Sequence, residues 1–123
     1  MRLIIAGGRE FNNYELLERE VLDFIKDEKD ITIISGLARG ADTLGCKFAD
    51  SYNLPMVGFA ADWKKFGRGA GLKRNKLMAK NADALIAFWD GSSRGTMSMI
   101  DYAHELNLKI KVVQYIHISK EWN

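Results

Sequence analysis

Four short stretches hold residue types suited to gripping an anion. They are Gly7-Gly8-Arg9, the run Ile34–Asp42 that reads ISGLARGAD, the AGLKRN segment at 70–75, and DGSSRGT at 90–96. Each holds at least one glycine and an arginine within a few residues of it. Glycine lets a ligand approach the backbone closely and leaves N–H groups exposed. Arginine adds a planar, permanent positive charge matched to phosphate. In the second stretch Ser35 precedes Gly36, and Gly36 and Gly40 flank Arg39. A helix is expected to start at about 38–41, where free N–H groups favour an anion. Asp42 then falls in its first turn, where it either complements the helix dipole or accepts from a ribose hydroxyl. In the fourth stretch Gly91, Gly95 and Thr96 precede a helix, so Thr96 suits an N-cap or a phosphate donor equally. Trp63 and Phe66 lie among Lys64, Lys65 and Arg68. An aromatic ring set between cations can stack on a base while the cations hold phosphate. The plainer reading is that Trp63 plugs the edge of the core.

These stretches need elements to position them, and the chain alternates strand-like with helix-like segments. LIIA at 3–6 closes on two glycines, the pattern of a buried parallel strand. Asn12 is placed to cap the first helix, with Glu15 three residues on as in a capping box. Tyr14, Leu17, Val21, Phe24 and Ile25 recur at helical spacing as its buried stripe. ITII at 31–34 is a second strand. Ala41, Leu44, Phe48, Ala49 and Tyr52 share a face of the second helix, and Pro55 blocks its continuation. MVGF at 56–59 is a third strand. Residues 61–75 lack a clear period and are expected to form a loop running into a short helix over 72–81. There Arg74 and Met78 share a face, and Arg74 points toward the glycine loops if that helix starts at the same edge. ALIAFW at 84–89 is a fourth strand. A helix over 96–106 follows, with Met99, Ala103 and Leu106 inward and Asn107 just past its end. KIKVV at 109–113 is a fifth strand, and the tail either extends it or packs in a partner interface. Repeated strand–helix units predict right-handed crossovers: a Rossmann-like three-layer α/β/α sandwich, with a mainly parallel sheet of about five strands. All four glycine-bearing stretches then fall at the carboxyl ends of the strands, where ligands of open α/β sheets bind.

Composition narrows the function further. The 123 residues suffice for one domain over 1–123. Apolar residues are 47% and charged residues 28%, an ordinary globular balance. No apolar run reaches membrane-spanning length, and the first ten residues lack a signal-peptide pattern, so a cytoplasmic location is expected. Cys46 is the only cysteine, and His104 and His117 lie on different expected elements, so neither a disulfide nor a metal site is expected. The formal net charge is +2, but residues 62–80 hold seven Lys or Arg against one Asp, leaving the rest of the chain acidic. One concentrated basic segment points to a local anionic partner; a solvated charged face is the alternative. Familiar nucleotide signatures are absent. Gly67, Gly69 and Gly71 do not make GxGxxG, and Cys46 stands where the lysine of a P-loop belongs. No Ser/His/Asp arrangement is evident.

AGGREF, SGLARGAD, ADWKKFGRGAGLKRN and DGSSRGT, in this order, resemble the YspA-like (cpYpsA-related) family of the SLOG superfamily, over residues 3 to about 113. Distant relatives are the LOG phosphoribohydrolases, DprA and the SLOG sensor domains of antiphage systems. The resemblance implies a Rossmann-like domain, a site for a nucleotide or nucleotide-derived signal, and a homodimer or larger oligomer. Carried over, the site comprises Gly7, Gly8, Arg9, Ser35, Gly36, Arg39, Gly40, Ala70, Gly71, Arg74, Asn75, Gly91, Gly95 and Thr96, to which the residue chemistry adds Asp42 and Trp63. No cofactor is required. In one place the sequence departs. LOG enzymes carry PGGxGTxxE, whereas Met99 stands here in place of the glutamate and the next acid is Asp101. Cleavage of an N-glycosidic bond needs a carboxylate, so the leading expectation is a sensor, carrier or sequestering protein. The alternatives are a nucleoside 5′-monophosphate phosphoribohydrolase using Asp42, Asp90 or Asp101, and a DprA-like single-strand binder using residues 64–80.

Overall fold

A computed structural model describes residues 1–116. Five strands, β1 (Arg2–Gly7), β2 (Thr32–Ser35), β3 (Met56–Gly58), β4 (Ala84–Trp89) and β5 (Lys109–Gln114), form one sheet. Its order is β3-β2-β1-β4-β5, and every neighbouring pair is parallel. The helices are α1 (Tyr14–Ile25), α2 (Ala41–Ser51), the one-turn α3 (Trp63–Phe66), α4 (Ala70–Lys80) and α5 (Arg94–Glu105). A three-residue 3₁₀ turn, Gly67–Gly69, joins α3 to α4. The fold is therefore the expected Rossmann-like α/β/α arrangement, and the chain reverses its direction of travel across the sheet between β1 and β4.

Alternation along the strands builds two cores. Leu3, Ile5, Ile33, Ile86 and Phe88 point to one face, where Leu17 and Val21 of α1 and Phe48 of α2 cover them. Ile4, Ile34, Leu85 and Ala87 point to the other, against Met78 of α4 and Met99 and Ala103 of α5. Strands buried on both faces read as unbroken apolar runs, which is why β1 and β4 are so legible in sequence. At α2 the helix closes tightly on the sheet: a Cβ on Gly45 would lie 3.0 Å from the Ile5 side chain.

Several local expectations shift. The cap of α1 is Asn13, whose side chain accepts from Leu16 N–H at 3.0 Å, rather than Asn12. Residues 61–75 are largely helical instead of a loop: Asp62 caps α3 by accepting from Lys65 N–H, and α4 begins at Ala70 rather than at 72. Leu106 and Tyr52, assigned to buried faces, are 43% and 41% exposed. Leu106 caps the C-terminus of α5, and Asn107 beyond it takes the positive φ of 58° expected of a residue closing a helix. His104 is an exposed residue near the end of α5, and His117 lies outside the described residues.

The loops leaving β1, β2 and β4 are bound to one another by their backbones. Gly8 donates to the Phe88 carbonyl at 3.1 Å, and the Gly8 carbonyl accepts from both Phe11 and Ala41 at 3.2 Å. Gly40 has φ 78°, and a Cβ there would stand 2.3 Å from the Gly8 carbonyl oxygen. Gly40→Ala therefore combines left-handed strain with a backbone clash. It should lower unfolding free energy by about 2–4 kcal/mol, read as a drop in urea midpoint; a change under ~0.5 kcal/mol would contradict this packing.

Candidate functional site

A cleft of about 490 Å³ opens at the carboxyl edge of the sheet, where β1 and β4 diverge. That reversal point is where open α/β sheets place ligands. Gly7, Gly8 and Arg9 enter it from the loop after β1, Arg39 and Asp42 from the start of α2, and Trp63 from α3. Gly71, Arg74 and Asn75 enter from α4, Asp90 from the end of β4, and Gly95 and Thr96 from α5. A second cavity of about 420 Å³ adjoins it and includes Gly36. Of the residues expected at the site, Ser35, Gly40, Gly91, Ala70 and Asp101 line neither cavity. Ser35 is fully buried; its hydroxyl accepts from Leu37 N–H at 3.1 Å and donates to the Asp42 carbonyl, so it shapes the turn. Gly40 admits the Gly8–Arg9 backbone rather than a ligand. Gly91 sits against Gln114, Ala70 is packed inside, and Asp101 is exposed on α5.

The arginines differ in how firmly they are held. Arg74 is half-buried; its guanidinium donates to the Gly36 carbonyl, and its Nε donates to Asn75 Oδ1 at 3.0 Å. Asn75 also donates to the Gly95 carbonyl at 3.3 Å, tying α4 to the first turn of α5. Arg39 makes an exposed ion pair with Glu10 at 2.9 Å, a contact of little energetic weight. Arg9 is exposed and its side chain makes no hydrogen bond or salt bridge among the described residues. The remaining basic residues of 62–80 divide: Arg68 lines the cleft, whereas Lys64, Lys65, Lys73, Lys76 and Lys80 face solvent. Lys65 and Lys73 sit over the Phe66 ring, 5.1 and 4.8 Å from its centroid.

Among the described residues both helix starts leave N–H groups without an acceptor, Asp42 and Thr43 in α2 and an equal pair in α5. Ala38 N–H is taken by Asp42 and Ala41 N–H by Gly8. In α5, Ser93 is the N-cap and its hydroxyl accepts from Thr96 N–H. The two helical positions between them, Arg94 and Gly95, have no acceptor within the helix, as geometry requires of a first turn. Nothing lies within 4 Å of a Cβ position at Gly95, so its backbone is open to the cleft. Thr96 is thus not the cap; its hydroxyl is 3.2 Å from Ser93 Oγ, and the residue lines the cavity. Trp63 is 52% exposed and lies over Gly71, with 3.6 Å from its ring to a Cβ position there. It walls the cleft and leaves the core to others.

Three carboxylates line the cleft: Glu10, paired with Arg39 at the surface, and Asp42 and Asp90, which have opposite character. Asp90 accepts from Ser92 and Ser93 N–H at 2.9 and 2.8 Å, and these bonds hold its pKa below the usual range. It is committed to its own turn. Asp42 is 6% exposed, and burial raises its pKa to about 6 against the opposing pull of Ala38 N–H, Arg74 and Arg9. Gly36 is wedged beside the pair: a Cβ there would stand 2.8 Å from Asp42 Oδ2 and 3.1 Å from the Arg74 guanidinium carbon. Among the described residues no group of His, Cys, Asp and Glu could hold a metal ion.

Sequence reasoning missed Tyr115 and the two methionines. Tyr115 turns inward after β5, packs on Phe11 with centroids 4.8 Å apart, and brings its hydroxyl 2.1 Å from a Cβ position on Gly8. The absence of a side chain at Gly8 is the complement of that phenol. Met78 and Met99 line the cleft floor, so the position at which LOG enzymes carry a carboxylate is apolar here. Helical spacing marked Met99 as a core residue and put Met78 on the face of Arg74; the fold brings both to the cavity.

The arrangement defines a Rossmann-like domain with an arginine-lined cleft at its reversal point. Residues 1–66 match the YAcAr family, the YspA, cpYpsA-related SLOG family, and the chain belongs to it. No curated protein matches the chain. Among solved structures it is similar to DNA processing protein A (DprA) of Streptococcus pneumoniae, with TM-score 0.73 and 15% identity. The likeness covers 96% of this chain and 51% of that one, so the chain spans about half the length of DprA, and at this identity the shared feature is the fold. Among the described residues no helix is long and apolar enough to cross a membrane.

The raised pKa of Asp42 carries a sign. The folded state binds the Asp42 proton more tightly than the unfolded chain, so this group's contribution to stability falls as pH rises from about 4 to above 6. Asp42→Asn removes that penalty while keeping an acceptor for Ala38 N–H. Relative to wild type, the variant should gain about 2–3 kcal/mol in unfolding free energy between pH 4 and pH 7.5. A difference independent of pH would contradict the burial of an ionisable Asp42.

Proposed function

We propose that the cleft binds a nucleotide or nucleotide-derived signalling ligand and that the protein acts as a sensor, carrier or sequestering protein. One observation carries this reading. Three guanidiniums, those of Arg9, Arg39 and Arg74, converge with the open first turn of α5 on a single cleft at the reversal point of the sheet. Guanidinium forks and helix N-termini both favour phosphate oxygens. Arg9 is the cation with most freedom to meet a ligand. Trp63, exposed and at the rim, offers a stacking face for a base. SLOG membership supports the same reading.

A ligand that binds only the folded chain raises its melting temperature by mass action. Millimolar nucleoside 5′-monophosphates should therefore raise the midpoint in a thermal-shift assay, and Arg9→Ala should abolish most of that rise without lowering the unliganded midpoint. A full rise in the variant would move the phosphate site elsewhere.

Hydrolysis is a second reading, and Asp42 favours it: a buried carboxyl with pKa about 6 suits a general acid at neutral pH. It predicts free base released from nucleoside 5′-monophosphates and lost in Asp42→Asn. Binding without release assigns the site to recognition alone.

A further inference from the structure

The cleft and the adjoining cavity are two lobes with a common wall. Both are lined by Arg9, Ala38, Arg39, Trp63 and Arg74. Three of the four arginines that line the cleft thus stand at the junction, and the fourth, Arg68, is exposed and lines the larger lobe alone. A terminal phosphate has one organic substituent and needs one lobe beside its cations. A bridging diphosphate has two substituents and needs room on both sides. The lobes also differ in chemistry. The larger holds Asp42, Asp90, Asn75 and Thr96 over its methionine floor, a surface rich in hydrogen-bonding groups. The smaller adds to the shared wall only Gly36, Leu37, Ala60 and Ala61, which are uncharged and mostly small. Leu37 is held back there, its side chain lying over Gly58, within 2.7–3.0 Å of a Cβ position on that glycine.

From this division we propose, resting on the nucleotide reading above, that the ligand is a nucleoside diphosphate esterified to a neutral second group. The nucleoside occupies the larger lobe, the diphosphate lies across Arg9, Arg39 and Arg74, and an uncharged substituent such as a sugar fills the smaller lobe. Bridging phosphates carry one negative charge each, so the ligand offers two formal charges spread along the arginine wall rather than concentrated at one end. Phosphate contacts to arginine are often bidentate, and an extended anion can engage several forks at once.

Isothermal titration separates this from simple monophosphate binding. The probes are AMP, GMP and UMP, set against ADP-glucose, GDP-glucose and UDP-glucose. For the preferred base, the diphosphoglucose should bind at least tenfold more tightly than the monophosphate. Ala61→Trp, which fills the smaller lobe, should bring that ratio close to one. Ala60→Trp, at an exposed position of the same lobe, provides the same test if the first variant folds poorly. A monophosphate that binds as tightly as its diphosphoglucose, or an advantage that survives both tryptophans, overturns the two-lobe proposal and leaves the nucleotide reading intact. Absence of binding by all six compounds overturns the nucleotide reading and the proposal with it.

Discussion

The carbonyl of Gly8 holds the site together. It accepts from Phe11 and from Ala41 while the N–H of the same residue donates to Phe88, so the exits of β1, β2 and β4 meet at one residue. Three backbones at such a distance leave no volume for side chains. Gly7 lies against the Phe88 carbonyl and Ala41, Gly8 against the Tyr115 hydroxyl, and Gly40 against the Gly8 and Arg9 backbone. Buried polar backbone must be paired, and here the pairing itself fixes where Arg9, Arg39 and Asp42 emerge. The glycines that look like ligand contacts in sequence mainly serve this junction.

With the loops fixed, the electrostatics follow. Arg74 reaches from α4 to the Gly36 carbonyl and faces Asp42 across a glycine that has room for nothing larger. Burial works against both charges: it lowers the Arg74 pKa and raises that of Asp42, while their mutual attraction opposes each shift. A half-buried charge facing a buried one is costly to maintain, and such perturbed groups cluster at sites of recognition or chemistry. Arg9, by contrast, is exposed and makes no side-chain hydrogen bond or ion pair among the described residues. The cleft therefore combines a prearranged interior with an exposed arginine in its lining.

Much of this was legible in the residues. The apolar runs of β1 and β4 and the stripes of α1 and α2 follow from simple periodicity, and the order of glycine loops placed a site at the carboxyl edge. Arg9, Arg74, Asn75, Gly95 and Trp63 line one cleft at that edge. What periodicity missed has definite causes. Residues 61–75 carry three glycines, which masked a helical turn stabilised by the Asp62 cap. Asp101 is near Thr96 in sequence, yet helical rotation carries it to solvent while Met99 turns inward. Tyr115 follows an edge strand and reaches Gly8 only through the parallel order of β1, β4 and β5, a contact no local pattern encodes.

The central claim is that phosphate is held between Arg9 and the first turn of α5 at the β1–β4 reversal. Titrating ¹⁵N-labelled protein with a nucleoside 5′-monophosphate and following the backbone amides tests it most directly. Saturable shifts should concentrate at Gly8, Arg9, Arg94, Gly95 and Thr96, with Trp63 Nε1–H moving in step. Saturable shifts confined to the outer faces of α1 or β5, with those amides unmoved, would contradict it.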